Sequence, residues 1–302
     1  MSFSTDVKNE LAQTISSACC YKAEAFGMLI FGRAFCITEI SLLTELKSIA
    51  ERYCACVRDL TGVTPTVKKS DAGNYKINIP DKNDRVKILN YFGYTGKELA
   101  LRINLGNLDQ ANNDCCSRAF LRGAFLSCAS AVSPESSYHL EFVVSRFNLS
   151  RELLLLLKKI GYDGKYTKRN SHYIIYFKES EAIVDIIALI GAVTCSFDMT
   201  NLIIEKNIRN NCNRVANCEA ANIQRTVATA NRQKEAIRGI YDHGLTGLLS
   251  PELRETAQLR IDNPDMSLIE LAEIHVPPVS KSCVNHRLKK LCEIWDNEKN
   301  NT

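Results

Sequence analysis

No run of about 18 apolar residues, the length a membrane-spanning helix needs, occurs in this 302-residue chain; a greasy stretch such as Leu153 to Leu157 is far too short. The first segment, Met1 to Leu11, is polar and mixed in charge, and so lacks the apolar core of a signal peptide. These absences lead us to expect a cytoplasmic protein. No strong excess of one sign of charge exists either: 38 basic against 34 acidic side chains leave a formal +4. That balance permits nucleic-acid binding but does not argue for it, so any electrostatic case must rest on local clusters. The thirteen cysteines include no CxxC pair and no Cys–His grouping with zinc-finger spacing, which leaves free, packed thiols as the expectation. What remains is ordinary: 45% hydrophobic and 24% charged, with length for two domains or one large one.

The first two-thirds of the chain repeats itself. Cys19-Cys20-Tyr21-Lys22-Ala23 leads to Gly27, and Cys115-Cys116-Ser117-Arg118-Ala119 leads to Gly123, 96 residues later. Both copies read C-C-x-basic-A-x-x-x-G followed by apolar residues, and such self-similarity reveals architecture. In copy one, Lys47 to Leu60 is amphipathic and ends at Thr61-Gly62. Strands are expected at Pro65 to Lys69 and Tyr75 to Pro80, then a helix from Asp81 to Phe92. In copy two, Tyr138 to Arg146 reads as a strand and Leu149 to Ile160 as a helix closed by Gly161. Strands at Lys165 to Lys168 and Tyr173 to Lys178 and a helix from Glu181 to Ile190 follow. Glycine caps and β-branched or aromatic runs mark these boundaries. The fold class expected is α+β: two α-β-β-α-β-β-α repeats, about 1–95 and 96–205, paired around a pseudo-twofold axis. Glycine inside a helix costs about 0.5–1 kcal/mol relative to alanine; its recurrence at Gly27 and Gly123 points to two helices meeting closely there.

A paired α+β repeat with a close-packed glycine in its first helix resembles the LAGLIDADG homing-endonuclease fold. Placing Gly27 and Gly123 on the third letter gives Ala25 to Arg33 and Leu121 to Ala129. The resemblance implies a metal-binding Asp at the eighth letter; here those positions are Gly32 and Cys128, and the sixth letters are Ile30 and Leu126. Hydrolysis through divalent ions needs oxygen ligands, so no catalytic residue and no DNA cleavage are expected. The paired cysteines are a separate matter. Successive helical residues point about 100° apart, so each pair is expected to offer one thiol to a shared centre. Two thiols are too few for a closed zinc site, and neither metal nor cofactor is expected. Lys68, Lys69, Lys76, Lys165, Lys168, Arg169 and Lys178 recur in corresponding strand regions, a candidate second grip on DNA against the alternative of solvated strand faces.

Beyond residue 205 the composition shifts. Lys206 to Lys234 holds six basic residues and one acid, and the Asn-rich 206–221 segment reads as a linker to an all-α domain at 222–302. A long helix is expected from Asn222 to His243, closed by Gly244. Ser250-Pro251 then opens a helix ended by Asn263-Pro264, and Ser267 to Glu270 is a capping box starting a short one. A tight turn, His275 to Val279, precedes a last helix capped by Ser280 and running to about Trp295. Its stripe of Val284, Leu288 and Leu291 is expected to be buried. Four basic residues and no acid lie between Val279 and Cys292. A capped short helix, a turn and a basic helix form a helix-turn-helix pattern. Ser282, Asn285, His286 and Lys289 are placed toward bases, and Lys281, Arg287 and Lys290 toward phosphates; Ser267 and Ser280 complete the DNA-binding set.

The strings Asn213 to Asn222 and Ser280 to Leu288, together with Ala119 to Phe125 and Tyr138 to Glu141, resemble those of the WhiA family across essentially the whole chain. The resemblance implies a degenerate homing-endonuclease domain tethered to a sigma-factor-like helix-turn-helix. It further implies DNA binding linked to sporulation, cell division and chromosome segregation. Cys283, where many relatives carry Gly, is a departure beside the free face. The expected partner is double-stranded DNA, with another transcription regulator or RNA polymerase as a second, at the nucleoid, and with no membrane and no small-molecule substrate. Two readings compete with a regulator that is not an enzyme. One is an active nuclease or nucleic-acid-processing enzyme, which needs the missing carboxylates. The other is a protein-interaction scaffold, in which the basic helix would recruit a protein.

Overall fold

A computed structural model describes residues 2–98, 100–103, 114–132 and 137–301. The chain forms two compact units, Met1–Asn207 and Ile208–Thr302. In the first, α1 (Phe3–Ala12) precedes α2 (Ala18–Ile30), β1 (Ala34–Phe35), β2 (Ile40–Thr44), α3 (Lys47–Thr61), β3 (Thr66–Lys69), β4 (Tyr75–Asn78) and α4 (Lys82–Tyr91). The second copy follows as α5 (Asp114–Cys128), β5 (Ala129–Ala131), β6 (Leu140–Val144), α6 (Phe147–Lys159), β7 (Lys165–Arg169), β8 (His172–Phe177) and α7 (Ser180–Ile190). Both copies therefore have the order α-β-β-α-β-β-α expected from the sequence. Helix α1 is an addition that the polar Met1 to Leu11 segment did not announce; it buries only Val7 and Leu11. Gly62 (φ 69°) and Gly161 (φ 99°) close α3 and α6 in the left-handed conformation that favours glycine.

Each copy contributes one antiparallel four-stranded sheet, ordered β1-β2-β4-β3 and β5-β6-β8-β7. Register fixes which face each side chain takes, because successive strand residues point to opposite sides. Leu42 pairs with Ile77 and Ile77 with Val67 in the first sheet; Phe142 pairs with Ile175 and Ile175 with Tyr166 in the second. Leu42, Ile77, Phe142 and Ile175 are buried under the helices, so their rows define the covered faces.

Helices α2 and α5 pack backbone to backbone. A Cβ on Gly27 would lie 2.2 Å from the Phe120 carbonyl oxygen, and one on Gly123 would lie 2.0 Å from that of Glu24. Only glycine permits this approach. The crossing is asymmetric in chemistry, since Glu24 and Phe26 of α2 stand where α5 has Phe120 and Arg122. Phe26 and Phe120 meet with ring centroids 5.3 Å apart, and Arg122 Nε donates to Glu24 Oε2 at 2.9 Å.

The start of these two helices corrects the reasoning about the cysteine pairs. The Sγ atoms of Cys19, Cys20, Cys115 and Cys116 all lie within 4.8 Å of one another. The 100° rule separates side chains around a helix barrel, but Cα–Cβ bonds also tilt toward the N-terminus. In a first turn there is no preceding turn to obstruct them, so both thiols of each pair reach over the helix end.

Helix α8 (Val193–Asp242) replaces the expected linker. Residues 206–221 contain neither Gly nor Pro, and Asn in a helix costs roughly 0.7 kcal/mol or less relative to Ala, too little to stop a helix already nucleated. In the second unit a 3-10 turn (Leu245–Leu248) leads to α9 (Pro251–Asp262), α10 (Leu268–Glu273) and α11 (Lys281–Asn301). The last part of α8 packs with them around Ile237, Ile240, Leu253, Ala257, Leu271 and Leu288. Gly239 lies against the Trp295 ring, where a Cβ would come within 2.3 Å of it.

Candidate nucleic-acid interface

The caps that announce the three C-terminal helices form as the sequence expects. Ser250 Oγ accepts from Leu253 N–H with Pro251 at the first helical position. Ser267 and Glu270 exchange both bonds of a capping box, and Ser280 Oγ accepts from Cys283 N–H at 3.2 Å. Backbone donation to the Glu270 carboxylate, with the Ser267 hydroxyl beside it, holds that carboxyl below its ordinary range. Ser267 and Ser280 are thus each spent on a helix start.

Between α9 and α10 lies a buried polar clamp that sequence reasoning missed. His275 is wholly buried; its Nδ1 lies 2.7 Å from the Leu271 carbonyl oxygen and its Nε2 2.9 Å from Thr256 Oγ1. A carbonyl only accepts, so Nδ1 carries a proton and donates to it. Arg287 Nη1 donates to the same Thr256 hydroxyl at 3.4 Å. The clamp ties the turn before α11 to α9 and fixes the angle of the last helix. A single His within a turn gives no sequence signal of this kind.

On α11 the stripe of Val284, Leu288 and Leu291 is buried. Lys281, Ser282, Asn285, His286, Lys289 and Lys290 are all exposed, and Cys283 is half-buried. Arg287 is half-buried and turned toward α9 by its bond to Thr256. Lys289 lies 3.9 Å from Glu293, one turn on, in a solvent-exposed pair that is worth little on its own. The free face therefore carries amide, hydroxyl, imidazole and ammonium groups, the kinds that bond base edges and phosphates.

The strand cations divide between faces. In the first sheet Lys68 pairs with Lys76, off the Ile77 row and hence on the uncovered face. Lys69 pairs with Tyr75 on the covered face, its Nζ 5.4 Å from the ring centroid. In the second sheet Lys165 pairs with Tyr176 and Arg169 with His172, on the uncovered face. Lys178, two residues beyond Tyr176, shares that face, with its Nζ 5.6 Å from the ring centroid. Lys168 repeats Lys69, lying 5.6 Å from the Tyr173 ring centroid. Five of the seven thus share the uncovered faces, and the other two, Lys69 and Lys168, lie along tyrosine rings on the covered ones. Like charges directly opposite on a sheet are unfavourable, and a bound anion would offset the cost at Lys68 and Lys76.

Where α2 and α5 end, an open groove of about 490 Å³ is lined by Gly32, Cys128, Arg33, Arg146 and His172 among others, with no carboxylate in its lining among the described residues. A Cβ on Gly32 would be 2.9 Å from the Ser41 carbonyl oxygen, so an Asp does not fit there without backbone movement. Burial pushes the Cys128 thiol up to about 12. Lys8 is held below the ordinary lysine range by burial, against the opposing influence of Cys128 and Glu45. A hard divalent ion needs oxygen ligands, and these residues do not fit one.

Family models agree with this division: residues 117–209 match the WhiA LAGLIDADG-like domain and residues 212–295 the WhiA C-terminal HTH domain. "Probable cell division protein WhiA" of Desulforudis audaxviator is 36% identical over 309 residues, covering 97% of this chain and 96% of the relative. The protein of the same name from Clostridium botulinum is 36% identical, with 98% of each chain covered. The chain belongs to the WhiA family. The crystal structure of full-length DUF199/WhiA from "Thermatoga maritima" matches the fold with a TM-score of 0.58 at 21% identity, covering 98% of this chain and 99% of that one. This WhiA chain is accordingly a duplicated LAGLIDADG-like α+β domain followed by an all-α helix-turn-helix domain.

Proposed function

We propose that this WhiA protein is a DNA-binding regulator of cell division that does not cut DNA. The observation that carries the reading is the exposed face of α11, opposite a fully buried Val284–Leu288–Leu291 stripe. Ser282, Asn285, His286 and Lys289 read base edges in the major groove, and Lys281 and Lys290 neutralise phosphates. Ser267 and Ser280 set the helix starts, and Arg287 positions α11 through Thr256. The name carried by relatives supports the link to division; chromosome segregation, sporulation and transcription regulation belong to the same reading. Double-stranded DNA is the partner, with another transcription regulator or RNA polymerase as the second, in the cytoplasm at the nucleoid. The lack of carboxylates among the described residues of the groove below α2 and α5, and the carbonyl that would meet a side chain at position 32, support the absence of cleavage.

The test is a salt titration of DNA affinity for the full chain and for a Lys281→Ala/Lys289→Ala/Lys290→Ala variant. Each lost phosphate contact removes ~0.9 from the log–log salt slope, so we expect weaker binding and a slope flatter by roughly 2 to 3. An unchanged affinity and slope would instead favour the scaffold reading. The same protein incubated with plasmid and Mg²⁺ or Mn²⁺ leaves it intact; specific nicking would overturn the non-enzymatic reading.

A further inference from the structure

The four thiols at the start of α2 and α5 belong neither to the exposed face of α11 nor to the groove at Gly32 and Cys128. They come from both repeats: Cys19 and Cys20 are the second and third residues of α2, and Cys115 and Cys116 the second and third of α5. Their Sγ atoms fall within 4.8 Å of one another. In a tetrahedral zinc–thiolate centre, Zn–S bonds of about 2.3 Å place the sulfurs about 3.8 Å apart. Small rotations of short side chains close that difference. A multi-iron cluster would need the sulfurs spread around a larger core, which this spacing does not offer.

We propose that Cys19, Cys20, Cys115 and Cys116 form a closed four-thiolate site for one Zn²⁺, stapling the two repeats together at their pseudo-twofold axis. The surroundings suit it. All four residues lie in the first turns of two helices, where backbone N–H groups and the positive ends of the helix dipoles favour thiolate. Ser17 Oγ lies 3.4 Å from Cys19 Sγ and supplies an outer-shell hydrogen bond. Cys116 is buried, Cys19 and Cys20 are half-buried and Cys115 is exposed, which leaves one edge for the ion to enter. Binding replaces the thiol protons by the ion and releases them to solvent, with no change of oxidation state. The site lies at the opposite ends of α2 and α5 from Gly32 and Cys128, so it has no part in a homing-endonuclease metal centre. A closed tetrathiolate keeps no position for substrate, and its role is structural.

The test uses the full chain purified under reducing conditions. Elemental analysis should find one zinc per chain retained through gel filtration, and chelation should lower the melting temperature. A Cys20→Ser/Cys115→Ser variant should lose the metal, whereas Cys212→Ser/Cys218→Ser, which removes exposed thiols of α8, should keep it. Cobalt(II) added to the stripped wild-type chain reads the donor set without any substitution. Intense tetrahedral visible bands with sulfur-to-cobalt charge transfer are expected. Wild-type protein with neither zinc nor that spectrum overturns the proposal. So does metal content equal in the two double variants, or peptide mapping that finds Cys19–Cys116 and Cys20–Cys115 disulfides as the resting state.

Discussion

Glu24 is wholly buried, and both of its oxygens are taken. Arg52 donates from Nε at 2.8 Å and from Nη2 at 3.1 Å, and Arg122 donates from Nε at 2.9 Å. The guanidiniums are held in turn: Arg122 Nη1 donates to the Ile190 carbonyl and Nη2 to Ser16 Oγ, while Arg52 Nη2 also donates to the Thr14 carbonyl. Desolvation makes such a triad a weak net stabiliser when whole, but removing one member strands the others. Glu24→Gln leaves the buried Arg122 and the half-buried Arg52 facing a neutral amide. It should cost about 3–5 kcal/mol, read as a lower urea midpoint at unchanged slope. Replacing all three residues with apolar ones of similar volume should cost much less. A midpoint shift within error for Glu24→Gln would show that solvent reaches the triad.

At the scale of elements, α8 depends on a carboxylate from α1. Glu10 accepts from Thr194 N–H at 2.7 Å and from Cys195 N–H at 2.9 Å, the open donors of the α8 N-terminus. Burial alone would raise this carboxyl, but the amide bonds outweigh it and hold it below the ordinary 4.5. A group depressed in the folded state stabilises above its unfolded value, and that contribution fades as pH falls through the folded one. Glu10→Gln should therefore destabilise the chain at neutral pH by about 1 kcal/mol, typical of a lost cap. The difference from wild type should shrink as the pH drops below about 4.3. Thermal melts at pH 7 and pH 3.5 check it, and an equal gap at both would remove the carboxylate from the account. The same elements show what the amino-acid order discloses. Caps at Ser250, Ser267 and Ser280, the closing glycines Gly62 and Gly161, and the repeated Gly27 and Gly123 are local signals, and each marks its boundary or contact. The final helix outran its expected end at Trp295 and continues to Asn301, because nothing after Trp295 breaks it. Three features depend on long-range geometry and were out of reach. The faces of Lys69 and Lys168 follow from strand register, the His275 clamp from helix packing, and the convergence of four thiols from how two helix ends meet.

Across the LAGLIDADG-like unit, the uncovered sheet faces make a prediction that composition could not. Lys68, Lys76, Lys165 and Arg169 share those faces, while Lys69 and Lys168 lie along Tyr75 and Tyr173 on the covered ones. If these faces grip DNA, replacing the first four with Ala should weaken binding several-fold and flatten the salt slope, with the last helix intact. Lys69→Ala/Lys168→Ala should change affinity far less, despite removing the same kind of charge. Gel-shift titrations over a salt series compare them; equal losses would mean that only net charge matters.

The unequal crossing of α2 and α5 has a consequence for how this chain can descend. A freshly duplicated gene encodes two interchangeable halves, each able to self-associate. Here one half carries the acid and the other the matching base, at positions that are not equivalent by symmetry: Glu24 on α2, Arg122 on α5. Two first halves joined about the same axis would set each Glu24 opposite a phenylalanine with only its own Arg52 for a partner, and two second halves would bury two guanidiniums with no carboxylate between them. Neither arrangement rebuilds the pair across the crossing. The halves have become lock and key to each other, so the duplication cannot be undone by losing a copy; they must be inherited, and must vary, as one.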